Sequence, residues 1–151
     1  PQGKNIGVSR DPARTPMRWN AGPYAGFSTS QPWLPLGHDA EYTNVESAAE
    51  DRDSMLSLYR RLLELRRAEP ALSVGSYQPL VADGDLVTYV REAEGRRFLV
   101  ALNLSSRPGH LSLAELGGGE IVVASDARRQ GRRVSGRLIM LGDDGVVVRL
   151  D

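Results

Sequence analysis

Residues 9–19 read SRDPARTPMRW, and they hold the side chains of the first third best suited to chemistry. Arg10 and Arg14 carry planar guanidinium forks that can fix a carboxylate, or two hydroxyls of a sugar, in one geometry. Pro12 and Pro16 lock their own φ and push Asp11 and Thr15 toward extended backbone. A segment stiffened in this way can present an arginine with little ordering entropy left to lose on binding. The same residues also suit a purely structural role, with arginines paired to acids and prolines stiffening a turn.

Other chemistries are poorly served. Glycosidic cleavage needs two carboxyl groups flanking one bond, yet Asp11 is the sole acid of this run and the next is Asp39. His38 and His110 are isolated, so neither is assigned to a metal or to base catalysis. No Gly-x-Ser-x-Gly elbow and no zinc-binding His pair occurs. Gly117–Gly119 lacks the Lys and Ser/Thr of a phosphate loop and reads as a turn. Asn103-Leu104-Ser105 matches a glycosylation acceptor only by chance, because it falls in an apolar strand. Asp83, Asp85, Asp143 and Asp144 read as ordinary turn formers. We expect no catalytic residue, no metal ligand and no cofactor site in this chain.

The elements that must position the arginines follow from composition and period. Of 151 residues 40% are hydrophobic, enough for a core, and Lys+Arg equals Asp+Glu at 19 each. That balance argues against a nucleic-acid partner, and no apolar run is long enough for a membrane helix. Cysteine is absent, which fits a reducing compartment, and the expected location is cytoplasmic. Residues 1–49 scatter Trp19, Tyr24, Phe27, Trp33 and Tyr42 among Pro, Gly, Ser and Asn, with no helical or strand period. So long an irregular stretch with so many aromatics is expected to fold against something beyond this chain. Residues 50–69 show the helical period in Met55, Leu58, Leu62 and Leu65, with Asp51 or Asp53 as N-cap, Arg66 and Arg67 at the far end, and Pro70 as a stop. From Ser76 onward short apolar runs at 86–92, 98–105, 110–113, 120–125, 137–141 and 146–150 predict an antiparallel sandwich of six to eight strands.

The ordered set SRDPARTPMRWN, AGFSTSQPWLPL and TNVESAAEDRDSMLSLYRRLLELRRAEPALSVGSY resembles the C-terminal part of the α-amylase superfamily. Its nearest pattern is that of the oligo-1,6-glucosidase and α-glucosidase branch, G-R-D-x-x-R-T-P-M-Q-W followed by A-G-F-[ST], P-W, N-V, a helix and G-S-Y. Ser9, Arg18 and Asn20 stand where that pattern has Gly, Gln and often Asp, and Arg18 puts a second cation near the site. The later run ARRQGRRVSGRL matches only loosely.

The resemblance implies a mainly β chain: a C-terminal antiparallel β-sandwich preceded by one long helix and an irregular segment from the end of a (β/α)8 barrel. Residues 1–72 would end the barrel and residues 73–151 would form the β domain. It implies that Arg10 lines the pocket for the non-reducing-end glucose, paired with an aspartate from an early barrel loop. The family's nucleophile, acid/base and stabilising aspartate would all lie upstream of Pro1. The partners implied are an α-glucoside oligosaccharide and the missing N-terminal barrel. The whole enzyme would be a retaining α-glucosidase-type hydrolase, and this fragment alone would be inactive. Two alternatives are a stand-alone carbohydrate-binding β module, which needs an exposed platform from Tyr77, Tyr89 or Phe98, and the tail of a trehalose synthase or transglycosylating relative.

Overall fold

The structure is a computed structural model and describes residues 11–80 and 84–151. Its internal contacts separate two compact units, Pro1–Leu56 and Ser57–Asp151.

The second unit is built on an antiparallel sheet. Its strands are β1 (Ser76–Pro79), β2 (Leu86–Ala93), β3 (Arg96–Asn103), β4 (Gly109–Ser112), β5 (Gly119–Ala124), β6 (Arg133–Val134), β7 (Arg137–Met140) and β8 (Asp144–Leu150). Six of them form one sheet in the order β1-β2-β3-β8-β5-β6, and β4 pairs with β7 in a separate ribbon. The fold is thus mainly antiparallel β, as the run spacing predicts. The β2–β3 hairpin closes through Glu94 and Gly95, at φ 52° and 73°. Two left-handed residues give the turn a twist that matches the flanking strands, which is why a glycine sits there.

β3 is apolar on both faces because both faces are covered. Leu99 and Ala101 join Val146, Val148, Leu138 and Met140 in one core, on the side of the β4–β7 ribbon. Phe98 and Val100 join Val147 and Val123 in a second core, closed by helical residues Leu58, Leu65 and Ala71. A strand at the centre of such a stack cannot alternate polar with apolar.

The helical layer departs from the single helix expected over 50–69. Among the described residues three α-helices occur: α1 (Val45–Glu50), α2 (Met55–Ala68) and α3 (Pro70–Ser73). Glu50 closes α1, and Asp51 is its C-cap, with its N–H bonded to the Ser47 carbonyl at 3.2 Å. Asp51 Oδ1 accepts from the Asp53 N–H at 2.9 Å, so the acids spend themselves on a turn ahead of α2. Pro70 does stop α2, by driving Glu69 to an extended φ/ψ of −116°/103°. Pro70 then starts α3, where its missing N–H costs nothing. Glu69 is buried, and the Arg96 guanidinium donates to both its carboxylate oxygens at 2.7 and 2.8 Å. This pair ties the end of α2 to the β2–β3 hairpin. Gly75 has to be glycine, because a Cβ there would lie 2.4 Å from the Ala71 carbonyl oxygen and 2.6 Å from that of Glu92.

Two other sequence readings are refined. Asp144 is no exposed turn former: it is buried at the start of β8, pairs with Arg129, and accepts from Ser125 Oγ at 2.7 Å and the Leu141 N–H at 3.1 Å. The Asn103 amide is fully engaged, donating to the carbonyls of Arg107 at 2.7 Å and Leu141 at 2.6 Å. Among the described residues, no helix is long and apolar enough to cross a membrane.

Candidate functional site

The site expected from sequence lies in the first unit. Asp11–Ala13 makes one 3-10 turn, closed by the Arg14 N–H on the Asp11 carbonyl at 2.9 Å. After it the chain continues without regular structure through Pro16, which is buried. Arg10, the residue assigned to sugar binding, lies outside the described residues.

Backbone hydrogen bonds then bring the motifs together. The Trp19 N–H donates to the Ala25 carbonyl at 2.9 Å, and the Trp19 carbonyl accepts from the Glu46 N–H at 3.0 Å. The Val45 N–H bonds the Arg18 carbonyl at 2.9 Å. The MRW segment is therefore held between the AGF turn and the start of α1. That turn is unusual. Tyr24, Ala25 and Gly26 all have positive φ, at 52°, 55° and 65°. Two non-glycine residues in the left-handed region carry strain, a feature concentrated at functional loops. Asn20 supports the turn, accepting from the Gly22 N–H at 3.0 Å. Its amide also fills the space of a Cβ on Gly26, with three atoms at 2.7–2.9 Å, so the glycine of A-G-F answers two demands at once.

Asn44 explains the N-V motif. It is buried and N-caps α1, its Oδ1 accepting from the Ser47 N–H at 2.9 Å while Ser47 Oγ accepts from the Asn44 N–H at 3.3 Å. Its amide also donates to the Ala40 carbonyl at 3.1 Å. Sequence periodicity missed this six-residue helix, although Asn44 and Ser47 stand at capping-box spacing.

Arg18 does not act as a spare cation. It pairs with Asp39, and Gly37 leaves the room: a Cβ there would sit 3.1 Å from the Arg18 guanidinium. The Asp39 carboxyl is held below its ordinary value, first by its own backbone N–H, then by the Thr43 hydroxyl and the Arg18 guanidinium, against some desolvation.

These constraints leave an open cavity of about 630 Å³, with Arg14, Ser28, Ser30 and Gln31 as polar groups and Met17, Phe27 and Trp33 as apolar walls. Its size is that of a small-molecule site. A guanidinium, hydroxyls and an amide beside aromatic faces suit a polyhydroxylated ring, which offers hydroxyls at its edge and C–H groups on its faces. Arg14, one of the two arginine forks singled out in the sequence, lines this cavity, and Gln31 and Trp33, which the sequence reading gave no binding role, join it. Trp33, on the cavity wall, is 73% exposed. Among the described residues, no group of three metal-ligating side chains occurs.

The α-amylase catalytic-domain pattern matches residues 2–75, which takes in this whole loop cluster and stops one residue before β1. The chain belongs to the α-amylase family. It is 37% identical over 100 residues to probable oligo-1,6-glucosidase 3 of Bacillus subtilis (strain 168), covering 66% of this chain and 18% of that protein. It is 42% identical over 98 residues to trehalose-6-phosphate hydrolase of Escherichia coli (strain K12), covering 64% and 18%. Among solved structures, isomaltulose synthase from Klebsiella sp. LX3 superposes with a TM-score of 0.80 at 29% identity, covering 95% of this chain and 26% of that one. The chain thus spans about a fifth of the length of the curated relatives it matches. Membership in the α-amylase family and a mainly antiparallel β fold agree with the motif reading.

Proposed function

We propose that this chain is the C-terminal part of a retaining α-glucosidase-type hydrolase acting on terminal α-glucosidic bonds of oligosaccharides. The observation that carries this is the α-amylase match over residues 2–75, coinciding with a strained, proline-stiffened loop cluster around a cavity of sugar size. In this reading residues 1–72 complete a (β/α)8 barrel and residues 73–151 form the C-terminal β domain. Arg10 and the neighbouring loop wall the glucose pocket, and the catalytic carboxylates lie in the rest of the barrel. The chain is inactive by itself. The missing barrel covers the apolar surface left open here, including Trp19, Phe27 and Tyr42 in the loops and Tyr59 and Leu63 on α2. The whole protein works in the cytoplasm and takes an α-glucoside oligosaccharide, with no nucleic-acid or membrane partner.

The curated relatives support the hydrolase reading, since several are named oligo-1,6-glucosidases. Similarity at 29% to isomaltulose synthase and to trehalulose synthase MutB of Pseudomonas mesoacidophila MX-45 supports a second reading, an isomerising or transglycosylating enzyme. The β-module reading loses support: Phe98 is fully buried, and Tyr77 and Tyr89 lie 5.1 Å apart tilted by 40°, which is no flat platform for a sugar.

The test is nitrophenol release from a chromogenic α-glucoside. The intact enzyme should release it and this chain alone should not; release by the chain alone would sink the proposal. In the intact enzyme Arg10→Ala should lower kcat/KM by roughly ten- to a hundredfold, the worth of a charge-assisted contact to the sugar, with the melting curve unchanged. Near-normal kinetics would remove Arg10 from the site. Conversion of sucrose to an isomer by the intact enzyme would select the second reading.

A further inference from the structure

Residues 127–137, ARRQGRRVSGR, carry five of the chain's eighteen arginines and no acid. All five line one groove of about 500 Å³. It lies wholly within the unit of residues 57–151.

The pairing of these arginines is uneven. Arg128 clamps Asp126 through two bonds of 2.8 and 3.0 Å. Arg129 pairs with the buried Asp144 and donates to the Ile139 carbonyl at 2.7 Å. Arg133 holds both oxygens of Asp151, at 2.7 and 2.6 Å. Arg132 spends only its Nε, on the Arg128 carbonyl at 3.2 Å. Among the described residues, neither Arg132 nor Arg137 has a carboxylate partner. Five guanidinium groups against three carboxylates leave a surplus of two positive charges, in a chain whose formal net charge is zero.

The lining also selects among anions. Ile139 and Leu141, 60% and 49% exposed, give the groove an apolar side. No lining residue is aromatic, so the groove lacks the stacking platform of a single-stranded nucleic-acid site. Its volume is that of a small-molecule site. A phosphoryl dianion matches the surplus charge, and its oxygens match a guanidinium fork.

We propose that this groove binds a small phosphate ester, with the phosphoryl group on Arg132 and Arg137 and the organic part on the Ile139–Leu141 side. The groove is independent of the sugar cavity in the first unit and of the hydrolase reading. The test is calorimetric titration of the whole chain with glucose 6-phosphate, adenosine 5′-monophosphate and inorganic phosphate. At least one ester should bind more tightly than inorganic phosphate. The double variant Arg132→Gln/Arg137→Gln should weaken ester binding at least about tenfold, the loss expected for charge-assisted bonds, with an unchanged circular-dichroism melt. Failure of all three probes to bind at millimolar concentration overturns the proposal. So does equal affinity for inorganic phosphate and the esters, or full affinity in the double variant. If the double variant unfolds, Arg137→Lys, which keeps the charge and removes the fork, should still weaken ester binding, and unchanged affinity there overturns the proposal.

Discussion

In residues 57–151 the chain closes apolar layers on both faces of one sheet, whereas in residues 11–56 it covers almost nothing apolar. Of the twenty buried apolar residues described, only Ala25 and Leu34 lie in the earlier region. Order there comes from directed bonds instead: the Asn44 capping box, the Asn20–Gly26 fit, the Arg18–Asp39 pair and prolines that fix φ. A region held by caps and turns does not spend its aromatic side chains on its own interior. Met17, Trp19, Phe27, Trp33 and Tyr42 remain open, and three of them, Met17, Phe27 and Trp33, line the candidate sugar cavity. The later region instead buries Phe98, Leu99, Val147 and Val148 in its own two cores.

The sharpest way to break this contrast is to unfold the two regions separately. Both tryptophans, Trp19 and Trp33, lie in the earlier region, while the β signal comes from the later one. In urea, tryptophan emission should change at lower denaturant than the far-ultraviolet β signal, because far less apolar area is buried before Leu56. Leu99 is fully buried at the centre of β3, so Leu99→Ala should cost about 2–5 kcal/mol. It should move the β transition and leave the emission midpoint in place. Coincident transitions, or an equal shift of both, would mean one cooperative unit.

The two regions were also unequally legible. β2, β3 and β8 are readable because each is a run of β-branched and apolar residues ended by a turn, and the Glu94-Gly95 turn announces its hairpin. β1 and the two-residue β6 escape the eye, since Ser76–Pro79 is exposed throughout and Arg133–Val134 has no room for a period. The long helix is visible, but its start is not. Glu50, Asp51 and Asp53 look like an N-terminal acidic cluster, yet they belong to the end of α1 and the turn after it. In the loop cluster periodicity has nothing to measure. There the motifs gave the family, and only coordinates bring Arg14, Gln31 and Trp33 around one cavity. The arginines of 127–137 read as a loose strand match until the turn at Ala127–Arg129 and strands β6 and β7 gather them at one groove.

A smaller effect sharpens the claim that directed bonds hold the earlier region. Asn44→Ala removes the α1 cap and the amide bond to Ala40, and should cost about 1 kcal/mol. Because Val45 and Glu46 donate to the carbonyls of Arg18 and Trp19, the loss should appear as a lower emission midpoint. The β transition should not move. An emission midpoint equal to wild type would mean that the capping box is incidental to the order of the loop cluster.

The smallest expected effect compares one carboxylate from each region. Asp39 and Asp126 both sit below their ordinary 3.8, so each contributes stability above that value and loses it as pH falls through its own lowered pKa. The leading causes differ. For Asp126 the Arg128 side chain comes first, followed by the Arg128 backbone N–H. For Asp39 the backbone N–H and Thr43 precede Arg18. Carbon-13 titration of the carboxyl groups should therefore show Arg128→Gln returning Asp126 much of the way toward 3.8. Arg18→Gln, which places at that position the residue of the oligo-1,6-glucosidase pattern, should leave most of the Asp39 depression intact. A full return of Asp39 would make the Arg18 pair, rather than the local turn, the element that fixes the loop. It would then follow that the arginine at position 18 had replaced a hydrogen-bonded turn with an ion pair.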